Sequence, residues 1–287
     1  MQWFGGKESD NVEEGSSSGG GRGFAVGGGI VGLIGLVIYY FTGINPSQFI
    51  NNSGIGGGSE QQNTRLAKAR TPEQKEASMV FRGTEEVWDS LFRANGKTYE
   101  KPTLHFFTDA VDAACGQATS AVGPFYCPED QKVYIDLNFY KELSDRFGAP
   151  GQFAQAYVIA HEVGHHVQNL LGVSQKVQQA ESQAGSSTER NQYSVALELQ
   201  ADFYAGVWAH YENKYHQNGL VLNQGDIESA LNAARQIGDD RLQQQAGQSV
   251  EPDSFTHGSS AQRMYWFKRG FDTGDLSKGN TFKEMGL

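Results

Sequence analysis

Residues 152–171, QFAQAYVIAHEVGHHVQNLL, constrain this chain more than any other stretch. They hold two histidines four apart, His161 and His165, with Glu162 directly after the first. An α-helix turns about 100° per residue, so the two imidazoles project within about 40° of one another, one turn apart. Side chains in that relation converge on one metal ion. Glu162 flanks the same face and can reach a water at that metal without being a ligand. The run before it, Tyr157, Val158, Ile159 and Ala160, is what a buried helix needs. A buried histidine pair left without a metal or a hydrogen bond is costly, which argues against the plain alternative of a helix with two surface histidines. His166 falls about 140° around the helix from His161 and is expected to point away.

A catalytic zinc site takes three protein ligands and one open position. The extended motif with Gly at 168 and His at 171 is excluded, because the chain has Gln168 and Leu171. The third ligand must come from elsewhere. The best source is Glu198-Leu199-Gln200-Ala201-Asp202, on a helix predicted over residues 189–216. Glu198 and Asp202 share a face among Val195, Leu197, Leu199 and Phe203. Two carboxylates facing a core call for a cation. Glu198 is the expected ligand. Asp202 is the expected acceptor for the other N–H of a liganding histidine. The exchanged assignment and a solvated acidic helix face are the rivals.

Around this motif the chain reads as two parts. Of 36 glycines, 17 fall in the first 60 residues. Residues 1–23 are charged and Ser/Gly-rich with almost no aliphatic side chain, so they are expected to be a disordered cytoplasmic tail. Residues 24–44 are 21 residues without a charge, long enough at about 1.5 Å per residue to cross the hydrocarbon core of a bilayer as a transmembrane helix. A cleavable signal peptide is the rival reading; the acids Glu8, Asp10, Glu13 and Glu14 before the span and the lack of a clear cleavage site favour an uncleaved anchor. Lys7 and Arg22 precede the span and the next basic residue is Arg65, which predicts a cytoplasmic N-terminus and an extracytoplasmic remainder. Residues 45–63 read as a flexible linker. The globular part is expected over residues 64–287. A net charge of −10 argues against a general nucleic-acid binder.

Within the globular part the pattern predicts a helix over 72–95, a strand over 103–108 and a hairpin of 117–125 with 131–137. Helical patterns follow at 140–147, 152–171, 174–184, 189–216, 226–244 and 259–270. A small early sheet followed by a mostly helical half is an α+β arrangement. Cys115 and Cys127 cannot make a disulfide-dense scaffold or a four-cysteine zinc ribbon. Outside the cytoplasm a disulfide pinning the hairpin is the natural reading, with two buried thiols as the alternative.

HExxH followed some thirty residues later by ExxxD resembles the gluzincin metalloproteases. More closely, the chain resembles the bacterial membrane-anchored putative neutral zinc metallopeptidases. The resemblance rests on the Gly-rich start with one hydrophobic span, on VYIDLNFYKEL, on IAHEVGHHVQ and on ELQADFYAGVWAH, and it covers nearly the whole chain. It implies a zincin-like fold, with a small mixed sheet over the HExxH helix and a helical second half. ELQAD also resembles the segment of Ste24/HtpX-like proteases whose Glu binds zinc. Those enzymes have several membrane helices and this chain one candidate span, so intramembrane cleavage is not implied. The segment around Thr256 and His257, with Arg263 following, resembles their Thr-His-Pro segment, although Gly258 stands in place of the proline. It implies His257 as an oxyanion donor or orienting group, against a plain loop histidine. Arg263 is either a clamp for a carboxylate or an ordinary surface arginine. The resemblance also makes the strand around residues 118–125 the expected edge for an extended substrate.

The expectation is therefore a single-pass zinc endopeptidase of the bacterial inner membrane, with an extracytoplasmic catalytic domain and protein or peptide substrates. One Zn2+ per chain is held by His161, His165 and Glu198, and Glu162 is the general base. A catalytically silent binding or chaperone-like protein on the same scaffold, and a zinc hydrolase of a non-peptide bond, are the rivals.

Overall fold

A computed structural model describes residues 1–3, 5–15, 70–215 and 217–287. The predicted span 24–44 and linker 45–63 lie outside the described residues. Among the described residues, no helix is long and apolar enough to cross a membrane.

Two short strands begin the chain, β1 (Gln2–Trp3) and β2 (Val12–Glu14). Helix α1 (Pro72–Ala94) follows the undescribed segment. Its start is written locally: the Thr71 side chain accepts from the Gln74 amide, the Gln74 side chain accepts from the Thr71 amide, and Pro72 lacks the N–H that would be orphaned there. Then come β3 (Thr103–Phe107), β4 (Ala110–Ala113), β5 (Gly116–Thr119), β6 (Phe125–Cys127) and β7 (Lys132–Asp136). The helical half holds α2 (Asn138–Asp145), α3 (Gln152–Leu170), α4 (Val173–Gln183) and α5 (Ser187–Tyr215). It is completed by β8 (Leu220–Val221), α6 (Gln224–Gln236), α7 (Asp239–Gln245), α8 (Ser260–Thr273) and α9 (Thr281–Glu284). The architecture is α+β, mostly helical with small sheets.

The main sheet has the order β2-β3-β7-β6. β2, β3 and β7 run parallel and β6 antiparallel to β7. Leu104, Phe106, Val133 and Ile135 face a core shared with α1 and α3. The expected hairpin is redrawn. Residues 116–119 fold back on 110–113 as a β4–β5 ribbon, and β6 takes the place beside β7. Cys115, in the turn of that ribbon, is disulfide-bonded to Cys127 at the end of β6. The bond ties the ribbon to the sheet.

The tail expected to be structureless over 1–23 is corrected for residues 1–3 and 5–15, and residues 16–23 lie outside the described residues. β2 adds a parallel strand to β3, with Val12 opposite Leu104, and β1 pairs with β8. Between them Ser9 is buried at 3% exposure, its hydroxyl on Glu85 Oε1 at 3.0 Å, while Asn11 Nδ2 reaches the same oxygen at 2.6 Å. Arg70 pairs with Glu8 at 2.7 Å and lies 3.8 Å from Glu14. Composition misleads here because ordering comes from backbone pairing and a buried carboxylate on α1, neither of which needs aliphatic side chains.

Two close helix crossings set the rest. A Cβ added to Gly164 on α3 would stand 3.0 Å from the Ala201 carbonyl oxygen of α5. One added to Gly206 on α5 would overlap the Phe267 carbonyl of α8 at 2.0 Å. Glycine alone permits backbone contact of this kind. The helix predicted over 226–244 is two helices, α6 and α7, broken at Ile237 and Gly238. A Cβ at Gly238 would lie 2.4 Å from the Ser260 amide, and Asp239, the first residue of α7, turns toward the chain before α8.

Candidate metal centre

Helix α3 carries its motif inward. His161 and Glu162 are 7% and 8% exposed, and His165 is half-buried on the same face. The Gly164–Ala201 contact brings α5 close enough for Glu198 to reach both rings. Its Oε2 lies 3.1 Å from His161 Nε2 and its Oε1 3.4 Å from His165 Nε2. The three donor atoms all lie within 4.8 Å of one another, a group able to hold a metal ion. In a tetrahedral zinc site with bonds of roughly 2.0–2.1 Å, neighbouring ligand atoms stand about 3.3 Å apart. The donor set, two neutral nitrogens and one carboxylate, is the kind that binds zinc and leaves a corner open. Cys115, Cys127 and Glu129 also cluster, but the two sulfurs are bonded to each other and offer no thiolate.

Behind His161 stands a buried polar network. His161 Nδ1 donates to Asp202 Oδ1 at 2.8 Å, and the Tyr157 hydroxyl donates to the same oxygen. Arg263 grips Asp202 with two nitrogens, Nε to Oδ2 at 2.8 Å and Nη2 to Oδ1 at 3.0 Å. Burial alone would raise the Asp202 carboxyl, but the Arg263 guanidinium and His161 outweigh it and hold its pKa at about 2. Asp202 thus meets His161 through the ring nitrogen turned away from Glu198, while Glu198 faces both rings. Arg263, open in the sequence between clamp and surface residue, is 2% exposed and is the clamp.

Burial also works against ionisation of Glu198, yet His165, His257 and His161 hold its pKa well below the ordinary value. Glu162 has its pKa raised, chiefly by burial. His257 is close enough to Glu198 for their charges to interact, and its side chain is 18% exposed, so it belongs to the site's surroundings rather than to a remote loop. Asp239 explains its position. One oxygen, Oδ2, accepts the backbone amides of Thr256, His257 and Gly258 at 2.8, 2.6 and 2.9 Å, and Oδ1 lies 3.5 Å from His257 Nδ1.

His166 points to the sheet side, as its angle on the helix predicts. Its Nδ1 accepts from the Tyr126 hydroxyl at 3.0 Å and its Nε2 donates to the Glu100 carbonyl at 2.6 Å. The expected substrate edge at 118–125 is divided: 116–119 belongs to the ribbon, and β6 from Phe125 is one of the sheet's two outer strands, β2 being the other. Sequence reasoning missed three residues. Tyr157 read as an apolar helix residue, Asp239 sat inside a helix predicted unbroken, and Gln168 counted only as the absence of a glycine. The only signals were the Gly-Asp-Asp turn at 238–240 and the three-residue spacing of Gln168 from His165.

A family model described as putative neutral zinc metallopeptidase matches residues 1–282. The Escherichia coli K12 protein named "Uncharacterized protein YpfJ" is 49% identical over 291 residues, covering 98% of this chain and 99% of its own. The Mycobacterium tuberculosis H37Rv protein named "Uncharacterized protein Rv2575" is 45% identical over 209 residues, 70% of this chain and 68% of its own. No solved structure matches.

Proposed function

The chain belongs to the putative neutral zinc metallopeptidase family, and from that premise we propose that it is a zinc-dependent endopeptidase of zincin type acting on protein or peptide substrates. The observation that carries the proposal is the convergence of His161, His165 and Glu198 beside the buried Glu162.

His161, His165 and Glu198 would hold a single Zn2+, whose charge acidifies water and polarises a scissile carbonyl. Glu162 takes the proton of the attacking water and passes it to the leaving amine. Burial raises its pKa, which makes it a stronger proton acceptor than an exposed carboxylate. His257, held by Asp239, donates a hydrogen bond to the carbonyl oxygen as negative charge builds there. Asp202, locked by Arg263 and Tyr157, keeps His161 presenting Nε2. Glu162 speaks against a silent binding scaffold, which needs no base. The test is exposure of a mixed peptide library to the full chain and to its Glu162→Gln variant, with products read by mass. Cleavage by the first alone is the expected result, and equal cleavage by both removes the general-base role.

The location is proposed on separate grounds. The Cys115–Cys127 bond favours an oxidising compartment, outside the cytoplasm. Attachment to a bilayer through residues 24–44 rests on the sequence. A single crossing there would put residues 1–15 and 70–287 on opposite sides, whereas β2 pairs with β3 and Arg70 with Glu8. The proposed arrangement therefore keeps the paired N-terminal strand β2 and the domain from Arg70 onward together on the extracytoplasmic face, in place of the expected cytoplasmic N-terminus.

A further inference from the structure

Gln168 lies one turn after His165 on α3 and is fully buried. His165 Nδ1 is 2.8 Å from Gln168 Oε1. Gln168 Nε2 faces the Leu197 carbonyl at 2.7 Å and Gln200 Oε1 at 3.2 Å. Gln200 Nε2 in turn faces the Gly279 carbonyl at 2.9 Å. A backbone carbonyl only accepts, so each amide must turn its nitrogen toward one, Gln168 to Leu197 and Gln200 to Gly279. That leaves Gln168 Oε1 facing His165, and an amide oxygen also only accepts. The proton of the neutral ring must then sit on Nδ1, which leaves the Nε2 lone pair for a metal ion held between it and Glu198.

We propose that Gln168 is a positioning residue that sets the tautomer of His165, and that Gln200 and the Gly279 carbonyl set the orientation of Gln168. The inference rests on the metal reading above and adds the source of order for its second imidazole. The two histidines are held by different means. His161 leans on a carboxylate clamped by arginine, whereas His165 leans on a neutral relay that ends in the chain just before α9. That end is tightly specified: a Cβ on Gly279 would stand 2.4 Å from Phe203 Cε1, so a side chain there displaces the carbonyl that Gln200 needs. Gln200 and Gly279 also line a cavity of about 500 Å³ between α4, α5 and the C-terminal residues, so the relay joins the metal centre to a wall solvent can reach.

Two readouts on the full chain test this. In the zinc-free protein, long-range proton–nitrogen correlation spectra should show neutral His165 as the Nδ1–H tautomer, and the isosteric Gln168→Met should mix the two tautomers. A wild-type Nε2–H tautomer overturns the proposal. Zinc affinity by chelator competition should fall about 10- to 100-fold in Gln168→Met, the usual loss on removing such a partner. It should fall less in Gln200→Met and Gly279→Ala. Gln168→Glu, which keeps an acceptor for Nδ1, should recover most of the affinity. Gln168→Met binding zinc like the wild type, while His165→Ala does not bind it, overturns this proposal alone. Wild type and His165→Ala binding alike overturns the metal reading instead.

Discussion

Gly164, inside the HExxH motif, packs against Ala201 so closely that a methyl group at 164 would lie 3.0 Å from the Ala201 carbonyl oxygen and 3.3 Å from its Cβ. This contact sets the distance between the helix that carries both histidines and the helix that carries Glu198. Gly164→Val should push α5 outward and weaken zinc binding by about 10-fold or more, even though valine is the better helix former. Chelator competition at fixed pH measures it, and unchanged affinity would mean that Glu198 is placed by other contacts.

Glu198→Ala and Glu162→Gln should separate two roles. The first should lose stoichiometric zinc by metal analysis. The second should retain it and lose hydrolysis by about 100-fold or more, the range of general acid–base contributions. Retention of zinc at normal affinity by Glu198→Ala would remove that residue from the site.

Arg263→Met should be strongly destabilising. It leaves the Asp202 carboxylate, fully buried, with His161 and Tyr157 but without its cation. Breaking a buried pair in this way costs about 3–5 kcal/mol. Urea unfolding of the zinc-free protein reads this directly. Asp202→Asn combined with Arg263→Met should be less damaging than the single change, because no orphaned charge remains.

His166 predicts an acid-sensitive fold independent of catalysis. Burial lowers its pKa to about 4, only partly offset by its bond to the Glu100 carbonyl. The unfolded chain, near 6.5, binds the proton at pH values where the native ring does not, so this contribution is full above about pH 6.5 and is lost as the pH falls toward 4. The loss approaches roughly 3 kcal/mol at about 1.4 kcal/mol per pH unit. His166→Asn should flatten that part of the urea midpoint against pH, and an unaltered profile would remove His166 from the account.

The proposed topology is tested with single cysteines at Asp10 and Lys268, whose side chains are 97% and 58% exposed. Cys115 and Cys127 are bonded and should not react. A membrane-impermeant maleimide applied to intact spheroplasts should label both new sites equally. Labelling at 268 alone would restore a cytoplasmic N-terminus.

What the sequence by itself determined is local in origin. The helix carrying His161 and His165, the helix carrying Glu198 and Asp202, the separation of an early sheet from a helical half, and the turn of His166 away from the metal centre all follow from periodicities of four residues or fewer, where backbone geometry dictates which side chains share a face. Their convergence is another matter. Glu198 reaches the two rings because Gly164 admits Ala201, and Asp202 is held because Arg263, 61 residues away, is brought beneath it by the glycine contacts of α5 and α8. The strand at 12–14 likewise had no local signature, and the break that frees Asp239 for three amides and the relay from Gln168 to Gly279 had only slight ones, a Gly-Asp-Asp run and a three-residue spacing. Each is a pairing of polar groups across long stretches of chain, and burial decides such pairings only once the whole core has closed, because an unmet donor or acceptor carries a cost only after water has been excluded.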